Sequence, residues 1–597
     1  MSQAIRSRKD IPKQYRWDLG DIIKSKKALK AFEKDLVESI AGVAAYQGEV
    51  KKNPIHAVFA SFDLSRRVGT YLTFSRMQLD QDGANTAYKA QMARAEALAV
   101  KARAAGAYLE PELLALPQET LEALRNDKDH PQFSVFFHDL LRSREHILSR
   151  EQEEMLAQAG EVFHTASRAF NVFNNVDLPL PETLDEQGKT SRLTHAGYNL
   201  RLRSKDRAVR KAAFEGMQNT FKAFKGTVST LYIGSVKNDV LQARLRKYGS
   251  ARQASLDAHE IPLSVYDGLL REAHRAFPIL DRYLRLRRKA LKLEKLHLYD
   301  LYVPIAADFS LDLPYDEAKK LVKKGLRPLG PDYAKLLDRA YSERWIDVYE
   351  TPGKRSGAYS WGTYDSHPYV LLNHTDTIDG AMTLAHELGH AMHSYFSNHA
   401  QPYEKSGYSL FAAEVASTCN EILVSRALQE EYRDNPQARL FFLNDLAEGF
   451  RTTFFRQTLF AEFEHEAHRM AEAGTALTDE ALSDLYEKLY RKYYGRECVI
   501  DPEIRYEWMR IPHFYRAVYV YQYATGFSAA VYLASRILGG GRKATERYFD
   551  FLSAGGSLPP IDALRAAGAD MSRPAVIRGA MKVFEETVAQ MESLLTP

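Results

Sequence analysis

Ala381-Met382-Thr383-Leu384-Ala385-His386-Glu387-Leu388-Gly389-His390-Ala391-Met392-His393-Ser394-Tyr395 sets two imidazoles one helical turn apart with a carboxylate beside the first. On a helix each residue advances about 100°, so His386 and His390 lie within about 40° of each other and can aim at one metal ion. Ala381, Ala385, Leu388, Met392 and Tyr395 recur at helical spacing as an apolar stripe, which predicts a helix. His386, His390 and His393 fall about 120–180° from that stripe and line the other face. Asp376, Thr377 and Asp379 supply a cap and first-turn acids.

The spacing is the His-Glu-x-x-His pattern of zinc peptidases, in which two imidazoles bind the metal and the carboxylate is the general base. A catalytic zinc takes three protein ligands and leaves one position open, so a further ligand is required. His393 is excluded, because its α-carbon lies ~10 Å along the axis from that of His386. The metzincin extension is absent, since it requires Gly at 393 and His at 396 where this chain has His393 and Phe396. Downstream, Glu414, Ser417, Thr418, Glu421 and Ser425 share one face of a second predicted helix. By spacing alone Glu404, Glu414 and Glu421 all qualify.

Immediately upstream, residues 357–362 and 368–373 read as two short strands joined by a polar turn containing Asp365 and Ser366. A strand beside a metal site can hold a peptide by main-chain hydrogen bonds along its free edge. A covering hairpin with no substrate contact satisfies the same pattern.

The chain has 597 residues, with 45% hydrophobic and 26% charged residues, and is long enough for several subdomains. Cys419 and Cys498 form neither a disulfide framework nor a C-x-x-C pair, which fits a reducing cytoplasm and leaves metal binding to His and carboxylate. The N-terminal residues lack the apolar core of a secretory signal, so a cytoplasmic location is expected. The uncharged run 517–535 contains four tyrosines and Gly526, and reads as a buried helix rather than a membrane span. A net charge of +4 implies no electrostatic partner, and the basic clusters at 201–211 and 282–295 have the spacing of solvated helix faces, so neither nucleic acid nor membrane is expected as a partner.

Helical patterns dominate residues 22–180, and a Pro-rich break at 178–181 with a polar turn at 185–188 places a soft boundary near 190. The expected organisation is an N-terminal helical domain, 1–190, and a helical domain holding the metal site, 191–597. The glycine runs 539–541 and 555–556 read as helix C-caps.

Leu-Ala-His-Glu-Leu-Gly-His at 384–390, Met-His-Ser-Tyr-Phe at 392–396 and Ala-Glu-Val-Ala-Ser-Thr at 413–418 resemble the M3, or thimet-oligopeptidase-like, zinc metallopeptidases, and within them the oligoendopeptidase F group. Arg16-Trp17-Asp18-Leu19 resembles that family's opening. Arg510-Ile511-Pro512-His513-Phe514-Tyr515 and residues 519–526 look like its second active-site segment, so the resemblance covers essentially the full length. It implies a mainly α fold, a zincin-type helical ellipsoid with a deep substrate channel and a small β-sheet beside the active-site helix. It further implies one Zn2+ ion on His386, His390 and Glu414, with His513 and Tyr523 directed at the substrate carbonyl.

The expected activity is endoproteolysis of short unstructured oligopeptides, with Glu387 taking a proton from water and returning it to the leaving amine. Glu421, two turns beyond Glu414, is the candidate support for a ligating imidazole. Arg516 departs from the family, whose members often carry Tyr there; by helical spacing it shares a face with Tyr523, and Tyr515 or Tyr519 are alternative substitutes. His513 and Tyr523 are ten residues apart, ~15 Å on a straight helix, so joint action requires the helix to start or bend between them. The competing readings are a helical zinc carboxypeptidase, which needs a basic group for the terminal carboxylate, and a non-catalytic peptide-binding scaffold. The pattern leaves oligomeric state open.

Overall fold

The computed structural model describes residues 6–306 and 309–595. The fold is mainly α, with three small sheets among the described residues, two of two strands and one of three. The chain divides into two compact units, each assembled from three segments: Met1–Arg144, Ser310–Leu428 and Leu533–Gly568 in the first, Glu145–Phe309, Gln429–Tyr532 and Ala569–Pro597 in the second. Among the described residues no helix is long and apolar enough to cross a membrane.

In the first unit, helix α1 (Tyr315–Gly325) precedes a mixed sheet of β1 (Ile346–Asp347), β2 (Tyr359–Trp361) and β3 (Tyr369–Leu371). The strand order is β1-β3-β2, with β2 antiparallel and β1 parallel to β3, so β2 forms an edge. The two strands around the polar turn fall within the segments 357–362 and 368–373 expected to form them. Strand β1 has only two residues, too few for a pattern to register. It is pinned by charge: buried Asp347 pairs with Arg8 at 2.6 Å and with Lys354 at 2.8 Å. Trp17, Tyr71, Phe74 and Met77 pack with Tyr369 and Leu371 in one core, which fixes the sheet against the helices near the N-terminus.

Helix α2 (Ile378–Ala400) holds the His-Glu-x-x-His stretch, and helix α3 (Leu410–Glu431) the downstream acids. Thr377 caps α2, its hydroxyl accepting from the Gly380 amide at 3.2 Å, with Asp379 in the first turn. Strands β2 and β3 pack on α2, as does α1. A Cβ on Gly389 would stand 2.6 Å from the Ser417 Cα and 2.7 Å from the Ala416 oxygen; one on Gly325 would stand 2.7 Å from the Val424 Cα. The two glycines thus let α2 and α1 approach the α3 backbone more closely than any side chain permits. Asn420, fully buried, locks the first crossing: its Nδ2 donates to the Ala385 carbonyl at 3.1 Å and its Oδ1 accepts from the Tyr333 hydroxyl at 3.1 Å.

In the second unit, helix α4 (Arg456–Glu472) packs on the helices Lys225–Leu245, Leu263–Arg275 and Asp479–Tyr494. The segment before helix α5 (Tyr521–Ala554) is a series of tight turns, Pro502–Arg510 and Pro512–Tyr515. The run 517–535 is therefore helical only from Tyr521, and Ala524, Ala529, Ala530 and Val531 are buried as expected. Gly541, at φ 60° and ψ −153°, breaks α5, as the glycine run suggested.

Candidate metal centre and active site

His386, His390 and Glu414 present one donor atom each within 4.8 Å of one another. The Nε2 atoms of His386 and His390 lie 3.5 and 3.6 Å from the same Glu414 oxygen, Oε2. A tetrahedral zinc with bonds of about 2.0–2.1 Å spaces its donors roughly 3.3–3.4 Å apart, so the three atoms fit one ion and leave the fourth position open. Glu404 lies on the separate short helix Tyr403–Ser406 and takes no part in the cluster.

Each imidazole is held from behind. His386 Nδ1 is 3.0 Å from Glu421 Oε1, which leaves Nε2 for the metal. His390 is hydrogen-bonded to the Ala413 main-chain carbonyl. The Ser417 hydroxyl donates to Glu414 Oε2 at 3.0 Å. Removing the Glu421 carboxylate by Glu421→Ala is expected to weaken metal affinity about 10- to 100-fold, measurable by competition with a chromophoric chelator. An unchanged affinity would show that Glu421 does not orient His386.

Burial lowers the His386 imidazole, but Glu421, Glu387 and Glu414 reverse this and raise it to about 9. Burial holds His390 below its ordinary value. A ligand must be deprotonated, so metal binding displaces the His386 proton, and affinity is expected to weaken roughly tenfold per unit as pH falls below about 9. The same chelator competition at about pH 6 and about pH 8 checks this, and equal affinities contradict it.

Glu387 is only 6% exposed. Burial raises its carboxyl to about 7, with His386 opposing, Glu414 and Glu421 adding, and the Ser360 amide of β2 donating to it. Among the described residues its Oε2 has no hydrogen-bond partner, and it is buried. A buried carboxyl with a free lone pair beside a metal-binding set is placed to accept a proton.

His393 is buried to 1% exposure and stacks on Tyr408 at 3.7 Å between ring centroids, and burial pushes it down to about 3. Unlike its two neighbours it serves as a neutral core residue. The wheel, which grouped it with them on a face away from the core, fails because α2 is packed on both faces: Glu387, Ala391 and His393 are as buried as the stripe.

His513 and Tyr523 belong to the second unit, where they meet each other: His513 Nε2 lies 3.5 Å from the Tyr523 hydroxyl. The helix starts between them, at Tyr521. Tyr523 also donates to the Tyr519 hydroxyl at 3.4 Å, and the His513 and Tyr519 rings are parallel at 6.0 Å. Arg516 precedes the helix, so the helical face expected to join it to Tyr523 does not exist; its guanidinium covers the Tyr519 ring at 4.2 Å. Tyr515 is turned away to stack on Phe170 at 4.3 Å. Burial, Arg456 and Arg516 all lower His513 from its ordinary value, favouring its neutral form.

Residues without a sequence signal also shape the site. Ser360 looks like any strand serine, and Asn420 like any polar helix residue. Gly389 carries the one usable clue, a glycine inside a helical pattern, which marks close approach.

The profile of Peptidase family M3 matches residues 200–583, and that of Oligopeptidase F matches residues 112–179. The chain is 42% identical to Oligopeptidase PepF of Bacillus subtilis, over 98% of this chain and 88% of that protein. It is 38% identical to Group B oligopeptidase PepB of Streptococcus agalactiae, over 99% and 98% respectively. Among solved structures, oligoendopeptidase-F from Enterococcus faecium superposes with a TM-score of 0.73 at 35% identity, covering 95% of this chain and 99% of that one. A crystal structure from Chlamydophila abortus superposes with a TM-score of 0.94 at 31% identity, covering 99% and 100%. The chain therefore belongs to peptidase family M3, in its oligoendopeptidase F branch, and is a metalloendopeptidase.

Proposed function

We propose that the chain is a zinc-dependent endopeptidase cleaving internal bonds of short, unstructured oligopeptides, with one zinc ion held by His386, His390 and Glu414. When bound, zinc supplies Lewis acidity at the open position of the site. Glu387 takes the proton of the attacking water and returns it to the leaving amine. The observation that carries this reading is the unpartnered Glu387 Oε2 beside two imidazoles and a carboxylate that converge on one point.

The edge strand β2 suits a peptide main chain, because among the described residues no strand pairs with its outer side. Main-chain pairing holds any extended sequence, which matches a broad oligopeptide range. His513 and Tyr523 are assigned as donors to the carbonyl oxygen of the substrate, where charge develops during attack. Tyr519, whose hydroxyl joins the same cluster, is the residue that stands in for the tyrosine absent at 516.

Mass spectrometry of products from a mixed peptide pool, with folded proteins as a length control, tests the reading. Internal cuts confined to short peptides, lost with chelator and recovered with zinc, are expected. Release of C-terminal residues alone, or activity indifferent to chelator, would replace it.

A further inference from the structure

Five non-glycine residues among those described have positive φ: Lys247, Glu260, Lys292, Arg344 and Val518. The first four follow the ends of helices, at the position where a left-handed residue closes the last turn. Val518, at φ 53°, does not. It precedes helix α5, is 2% exposed, and is β-branched, the residue class least suited to this conformation. Strain of this kind persists only where surrounding groups over-determine it.

Those groups are present on both sides of one peptide unit. The Val518 amide donates to Glu464 Oε1 at 3.0 Å, and the Ala517 carbonyl accepts from the Ser255 hydroxyl at 3.1 Å. Together they fix the plane of the peptide joining the two residues, and hence φ of Val518. Glu464 is fully buried on α4, and among the described residues its Oε2 has no partner. A carboxyl buried with one main-chain donor is costly to keep. Burial raises it to about 8, with His468 opposing. On either side of the clamped peptide stand His513 and Tyr519, whose rings meet Tyr523.

We propose that Glu464 and Ser255 are positioning residues: they clamp the Ala517–Val518 peptide, hold Val518 left-handed, and so set His513 and Tyr519 against Tyr523 for the substrate. The inference rests on the assignment of His513 and Tyr523 as substrate donors. The clamp leaves the metal ligands untouched, so its loss acts on turnover rather than on metal content.

The test compares Glu464→Ala, Glu464→Gln, Ser255→Ala, Glu464→Ala/Val518→Gly and Tyr523→Phe, recording kcat, KM, zinc per chain and Tm on a fluorogenic peptide cleaved internally. Glu464→Ala is expected to lower kcat about 10- to 100-fold with KM within about threefold and zinc retained. Glu464→Gln keeps the accepting oxygen and most of the activity, and Ser255→Ala shows a smaller loss of the same kind. The discriminating variant is the double one. Glycine adopts positive φ without a Cβ penalty, so Val518→Gly restores kcat to within about threefold of wild type although it removes further packing and lowers Tm. A residue that merely supports the fold gives the opposite order, with the double variant worse in both.

Glu464→Ala with wild-type kcat, or a folded, slow Glu464→Ala that Val518→Gly fails to restore, overturns the inference. If Glu464→Ala does not fold, Ser255→Ala against Ser255→Ala/Val518→Gly decides by the same criterion. Tyr523→Phe at full kcat removes the donor assignment and the inference with it. Tyr523→Phe slow beside Glu464→Ala at full rate overturns the inference alone.

Discussion

Glu387→Gln is expected to lower kcat roughly 100- to 10,000-fold, the span of a positioned general base, while the purified variant keeps one metal ion per chain. The amide has the shape of the carboxyl but takes no proton at neutral pH. None of the three clustered donor atoms belongs to residue 387, so the variant separates proton transfer from metal binding. The native group also dictates the acid limb of the rate profile. Burial raises Glu387 to about 7, and a bound cation favours its ionised form, so the limb in kcat/KM lies below about 7. Activity falls as the carboxylate gains its proton, and Glu387→Gln flattens that limb in whatever rate remains. A variant with more than a tenth of wild-type kcat would remove Glu387 from the mechanism.

Gly389→Ala is expected to cost stability and metal together. Alanine favours a helix over glycine by about 1 kcal/mol, so an open site would gain. Here the added Cβ meets the Ser417 Cα at 2.6 Å and the Ala416 oxygen at 2.7 Å, main-chain atoms that no rotamer change can move. Overpacking of that kind costs about 1–3 kcal/mol or more, which outweighs the propensity gain. The relaxation available is separation of α2 from α3, and that carries Glu414 and Glu421 away from His386 and His390. Zinc content and Tm should fall in the same variant. Gly69→Ala is the control, being inside the helix Pro54–Gln81 with nothing within 4 Å of its Cβ position; it should be neutral or stabilising. Gly389→Ala with full zinc and unchanged Tm would show that the crossing has slack.

The helix that carries His386, Glu387 and His390 and the two strands beside it were legible because each rests on local spacing. Which acid joins the two imidazoles was not, since by spacing alone Glu404, Glu414 and Glu421 all qualify; Glu404 lies on another helix, and what brings Glu414 to the imidazoles is where α3 crosses α2, a property of Gly389 and Asn420 rather than of the acids. His393 was misplaced by the wheel for a related reason, because an apolar stripe locates the core only when the other face meets solvent. In the second segment the ten-residue separation of His513 and Tyr523 required the helix to start or bend between them, and it starts at Tyr521. The left-handed Val518 before it was not legible, since nothing in a valine announces positive φ. The packing of each unit from three distant segments lies beyond any local pattern.

The most direct measurement of the central claim is anomalous diffraction from crystals of the purified protein, recorded on both sides of the zinc absorption edge. The account predicts one peak bonded to the Nε2 atoms of His386 and His390 and to the Glu414 carboxylate, with Glu421 on the far side of the His386 ring. A peak bonded to Glu421 or Glu404 in place of Glu414, or no peak at this site in zinc-loaded, active protein, would contradict it.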